Sequence, residues 1–241
     1  MPSRRRKYAL LGRIIMRANK RAFFQTVLAG MGIGAVAAPF SGSARAQQTG
    51  KWVPVQESQD RWLDDIGGRH RQVFDTITPE GVARALTFTY TFYAASKDAY
   101  GIEPKDLGVL MIFRSGSTPF GFNDKIWSKY SAGLSSRSKL VDPVAKSAPV
   151  LNMYNAADRA AQLPTNGLTL DALAGMGGQF AVCSVSSKKL AAALAKDTGE
   201  SADSVFAELQ ANTVANARMV PAGIVALNRA QEHHFSLCYT G

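Results

Sequence analysis

Residues 177–190 read GGQFAVCSVSSKKL. Paired glycines open an apolar run that ends at Cys183; serines follow, and from about Ser187 a lysine-bearing, alanine-rich pattern takes the 3.6-residue period of a helix. The stretch reads as strand, short turn and helix, the helix continuing over Lys188 to Lys196. In a parallel α/β sheet the carboxyl end of a strand is where ligands meet the protein, because connections diverge there and helix amino termini aim N–H groups at the crevice. Cys183 belongs to such an edge.

Outward from this stretch the same alternation recurs. Arg69 to Ile77, RHRQVFDTI, alternates β-branched and aromatic residues with polar ones as a first strand does. Thr78-Pro79-Glu80 supplies a cap, a proline and an acid for a helix from Pro79 to about Tyr100. Its core stripe is Val82, Leu86, Thr89, Tyr90 and Tyr93, and the aromatic cluster Phe88, Tyr90, Phe92, Tyr93 reads as packing. Leu107 to Phe113, LGVLMIF, is the continuous apolar run of a strand covered on both faces. It ends in the polar loop Arg114-Ser115-Gly116-Ser117-Thr118-Pro119, and a helix with Ile126, Trp127 and Tyr130 follows a cap at Asn123 or Asp124. Residues 131–167 form a long insertion of weak pattern, either a functional lid or a poorly ordered connection. Beyond it come helices over Thr169–Met176 and Ser201–Asn212, a strand at Ala217–Val220, a helix over Ala222–Gln231 and a last strand at Phe235–Tyr239.

Five strands joined by helical connections predict an α/β fold, a mainly parallel five-stranded sheet with helices on both faces in a flavodoxin-like layout. The common strand order 2-1-3-4-5 sets Cys183 and Cys238 apart by the fourth strand, which argues against a disulfide.

The chain of 241 residues carries a net charge of +10, but the charge is local. Residues 1–46 hold nine of the 28 Lys and Arg and no acid, leaving 19 bases against 18 acids in the rest. The body is close to neutral, so no nucleic acid is expected as a partner. The basic start, the apolar stretch from Val27 to Phe40 and the small residues up to Ala46 read as an export signal over 1–46, cleaved after Ala46. Asn19-Lys20-Arg21-Ala22-Phe23-Phe24-Gln25 resembles the twin-arginine export motif with lysine for the first arginine, and Met16 is an alternative start to Met1. The apolar stretch is too short and glycine-rich for a stable membrane span. The expected location is therefore the periplasm. Residues 47–68 read as a linker and arm in which Trp52 and Trp62 dock on a domain spanning 69–241.

Three connections meet at the carboxyl edge: Thr78-Pro79, Arg114 to Thr118, and Cys183 to Ser187. They bring together a thiol, a cation, several hydroxyls and free helix N–H groups, a set that suits a thiolate or a small anion. Cys183 is the candidate nucleophile, with Arg114, Ser115, Gly116, Ser184, Ser186 and Ser187 as binding neighbours. A cysteine at a strand end also reads as a small buried hydrophobe. His70, His233 and His234 fall at the opposite edge without further ligands, so no metal is expected. There is no Ser-His-Asp order, no phosphate-cradling glycine loop, no CxxC motif, and no cofactor is implied.

The strand ending in cysteine before a helix, FAVCSVSSKKLAAAL, and the later MVPAGIVALNRAQEHHFSLCYTG resemble the DsrE/DsrF-like family of sulfur-relay proteins over roughly residues 69–241. The resemblance implies a flavodoxin-like fold, a homo-oligomer, and a persulfide carried on a cysteine placed as Cys183 is. Its implied partner is a small sulfur-containing anion or another protein. The remaining alternative is a non-catalytic periplasmic binding or assembly module.

Overall fold

The computed structural model describes residues 53–54 and 57–241. The export signal expected over 1–46 and Trp52 lie outside them. The first described element is a 3₁₀ turn, Ser58–Leu63, followed by β1 (His70–Thr76) and α1 (Pro79–Tyr100). Thr78 caps α1, its Oγ1 accepting the Gly81 N–H at 3.0 Å, and Gly101 ends it at φ 63°, a left-handed conformation that glycine adopts without a Cβ penalty. β2 (Leu107–Phe113) is buried at every residue. A 3₁₀ segment, Ser115–Gly121, leads to α2 (Asp124–Lys129), α3 (Ser131–Ser138), α4 (Ala157–Ala160) and α5 (Leu170–Gly175). β3 (Gln179–Cys183), α6 (Ser184–Thr198), α7 (Ala202–Ala211), β4 (Ala217–Val220), α8 (Gly223–Glu232) and β5 (Ser236–Tyr239) complete the chain.

The five strands form one parallel sheet, as the alternation of elements predicts, in the order β4-β3-β2-β1-β5. One face packs Phe74, Phe113, Phe180 and Val182 against Val82 and Leu86 of α1, Trp127 of α2, and Leu190 and Leu194 of α6. The other packs Val73, Leu110, Ile112, Ala181 and Val220 against Ala226, Leu227 and Ala230 of α8, with Leu63 and Ile66 of the amino-terminal arm. Trp62 of that arm docks here as expected, beneath the Arg218 guanidinium 5.0 Å from its ring.

Handedness explains the two layers. From β1 to β4 each crossover steps one strand in the same direction, so right-handed connections put all their helices on one face. The return from β4 to β5 spans the sheet in the opposite direction, and a right-handed crossover must then pass over the other face, where α8 lies. The expected 2-1-3-4-5 order is therefore corrected. The reversal falls after the fourth strand, because α8 carries the apolar stripe that covers the second face. Cys183 and Cys238 are free thiols, separated by β2 and β1 rather than by β4.

The insertion packs on the domain through buried residues of its own. Leu134, Asn152, Met153 and Tyr154 are buried in it. The Tyr154 hydroxyl donates to the Pro79 carbonyl at 2.8 Å, and Asn152 Nδ2 donates to the carbonyls of Phe120 and Phe122, each at 2.9 Å. Asp142, itself buried, accepts the N–H groups of Val144 and Ala145 and the Arg159 guanidinium. Polar side chains thus satisfy the backbone of an irregular segment that would otherwise be too costly to bury. Among the described residues no helix is long and apolar enough to cross a membrane.

Candidate functional site

The strand order fixes where a site can form. β3 runs straight into α6 on one face, while β4 leads through Pro221 and Ala222 to α8 on the other. Neighbouring strands whose connections leave to opposite faces open a crevice at their carboxyl ends. β3 and β4 are such a pair, and their last residues, Cys183 and Val220, stand side by side in register.

Strand alternation decides which side chains share this place. Val73, Ile112 and Ala181 face α8, so Asp75, Arg114 and Cys183, each two residues further on, come to the same side. Arg114 Nε and Nη2 donate to Asp75 Oδ1 and Oδ2, both at 2.7 Å, a bidentate pair with the Asp75 side chain 4% exposed and that of Arg114 23%. The hydrogen bonds to Asp75 and the charge of that carboxylate raise the Arg114 pKa against its partial burial. Nη1 makes no hydrogen bond among the described residues.

Gly223, the first residue of α8, lies against this arginine. An added Cβ would stand 2.9 Å from Arg114 Cβ and 3.0 Å from Cδ, so glycine is what lets the start of α8 approach. Cys183 is the residue that caps α6. Its Sγ accepts the Ser186 N–H at 3.4 Å, in the manner of a serine Oγ, and the helix begins at Ser184 with no intervening turn. Burial pushes the Cys183 thiol up. The Ser186 hydroxyl and the N–H groups of Gly223, Ser186 and Val185 outweigh it and hold the thiol below its ordinary value. The donors come from the amino termini of two helices, where the partial positive charge also favours an anion. At Cys238 burial acts alone and pushes the thiol up.

The other expected neighbours divide. Ser186 Oγ accepts the Ser115 N–H at 3.0 Å, tying the loop after β2 to α6, and Ser115 takes a left-handed φ of 55° to reach it. Gly116 follows in that loop, where a Cβ would press on the Ile77 carbonyl at 2.9 Å. Ser187 is buried and donates back to the Cys183 carbonyl at 2.9 Å, a bond internal to α6 that does not serve an anion. Ser184 is half-buried, with no side-chain hydrogen bond among the described residues. The histidines stand at the amino end of the sheet, where buried His233 places Nδ1 2.7 Å from Asp64 Oδ1 and His70 and His234 are exposed. No metal-binding cluster occurs among the described residues.

Sequence reasoning missed Asp75 and Gly223. An acid near the carboxyl end of an otherwise core-facing strand was the signal for Asp75. Gly223 contributes only a backbone N–H and the absence of a side chain, which no motif marks. No family model, curated protein or solved structure matches this chain.

Proposed function

We propose that this is an exported protein of the periplasm that binds or carries a reduced sulfur species on Cys183, at most a sulfur carrier. The observation that carries the reading is the convergence of the α6 and α8 amino termini on one buried thiol whose pKa is lowered. The Cys183 thiolate would attack the outer sulfur of a donor such as thiosulfate. The donor S–S bond breaks, the Cys183 S–S bond forms, and sulfite leaves with the electron pair, so no external oxidant or reductant is needed. The persulfide anion would inherit the N–H donors that favour the thiolate, and Arg114 Nη1 is the free donor beside it.

The test is the intact mass of the purified protein after exposure to thiosulfate or an organic persulfide, beside Cys183→Ser. The expected result is a gain of one sulfur atom in the parent alone, removed by reductant. An adduct that persists in Cys183→Ser, or none in either chain, would refute the reading.

A second reading has one observation in its favour. Cys183 is only 5% exposed, as a core cysteine would be. The domain would then be a non-catalytic binding or assembly module, and thiol reagents would reach Cys183 only after unfolding.

A further inference from the structure

The sheet ends on one side at β5, which among the described residues pairs with β1 alone. From Ser236 to Gly241 there is no charged side chain and no proline, the usual guards of an exposed edge. The Thr240 N–H donates to the Asp75 carbonyl at 3.1 Å, so alternation along the strand turns the N–H and C=O groups of Leu237 and Tyr239 away from β1, toward the open edge. We infer that β5 pairs antiparallel with β5 of a second copy of this chain, joining the two sheets into one about a two-fold axis at Cys238.

Apolar surface flanks this edge on both faces. Leu237 is 43% exposed and Tyr239 59%, and they stand in register with Val73 and Asp75 on the face that α8 covers, where Ile224 is exposed as well. On the other face Cys238 lies in a groove of about 320 Å³ between β5 and α1, walled by Phe88, Phe92, Ala95 and Tyr100. None of the residues that line the groove is charged.

Self-complementarity is what selects a second copy. A two-fold contact sets a patch against its own image, so charges of one sign would repel across it, and this patch has no charged side chain. An axis at Cys238 brings Leu237 of each copy opposite Tyr239 of the other. The free backbone groups of both residues are then bonded, and each leucine meets an aromatic ring across the strands. Centring the pair on Leu237 or on Tyr239 would set the other residue against Phe235 or Gly241, outside β5. On the groove side the β1 strands of the two copies would lie three strand spacings apart, about 14 Å. Helices in direct contact stand about 8–10 Å apart, so α1 helices packed over those strands are bridged by large side chains, which Phe88, Phe92 and Tyr100 supply.

The inference does not rest on sulfur carriage, and Cys183 takes no part in it. Sedimentation of the purified protein reads the assembly, and diamide, an oxidant of thiols, reads the register. At micromolar concentration the expected mass is that of two chains. The two Cys238 residues would face each other with about 4.5 Å between Cα atoms, within disulfide reach. A reducible dimer should therefore appear on a denaturing gel in the parent and in Cys183→Ser, and be absent in Cys238→Ser. Leu237→Lys adds the missing guard, and Phe88→Lys places a charge in the groove from α1. Each should raise the dimer dissociation constant at least about tenfold, with an unchanged circular dichroism spectrum because both side chains are exposed. A monomer at every concentration would leave the edge to another chain and overturn the inference. A dimer unmoved by both lysines, or one that diamide fails to join through Cys238, would place the contact elsewhere and overturn it equally.

Discussion

Asp75→Ala should lower the free energy of unfolding by roughly 2–4 kcal/mol, a little under the usual cost of stripping one partner from a buried ion pair. The acid is buried and accepts both arms of Arg114, so its loss leaves a guanidinium facing α8 without its counter-charge. The discount reflects the 23% exposure of the Arg114 side chain, which lets it turn partly toward water. The same change should push the Cys183 thiol further down, since a nearby negative charge goes and the positive one stays. Denaturant unfolding of the two single variants and of the double variant with Arg114→Ala separates the pair from its parts. A loss under about 1 kcal/mol in Asp75→Ala would mean that the pair is a surface contact and does not hold the site together.

Asn152→Ala is the second large effect, expected to cost roughly 3 kcal/mol or more, because each buried polar group left unpaired costs about 1–3 kcal/mol. The two carbonyls of Phe120 and Phe122 lose their donor, and the Tyr154 N–H loses the Asn152 Oδ1 that accepts it at 3.2 Å. All lie in the core beside Trp127, whose indole N–H donates to the Pro119 carbonyl at 3.1 Å. Denaturant unfolding again measures the change. A cost under about 1 kcal/mol would show the insertion to be a dispensable attachment after all. Deleting residues 135–162 removes Asn152, Met153 and Tyr154 together and is expected to abolish folding.

These residues also show where the sequence is legible. Helix α1 could be read to the residue, since a capping threonine, a proline and a terminal glycine mark its ends. β2 could be read because only a strand covered on both faces is apolar throughout. The strand order was not legible, because the alternation of elements is the same whether the chain reverses after the second strand or the fourth. What decides it is the face each helix covers, a matter of tertiary packing. The insertion was opaque for another reason. Its fold rests on single buried polar residues, Asn152 and Asp142, which in a sequence look like surface residues. The start of α6 was placed late because serines are the commoner caps, whereas a cysteine sulfur does that work here. Cys183 and the loop from Arg114 were nonetheless brought to one edge by strand ends alone. The partner of Arg114 and the second helix terminus needed the sheet.

The lowered thiol has a consequence for stability. Because its folded pKa lies below the unfolded one, the thiolate's contribution is complete above the unfolded value and is lost as pH falls through the folded value. Cys183→Ser lacks that dependence.

The most direct measurement is a pH titration of thiolate absorbance in Cys238→Ser, where Cys183 is the remaining thiol. The convergence of two helix termini at the junction of β3 and β4 predicts a midpoint below the ordinary thiol value of 9.0, moving up when Ser186→Ala removes one donor. A midpoint at or above that value, unmoved by Ser186→Ala, would mean that burial wins and that Cys183 is core packing.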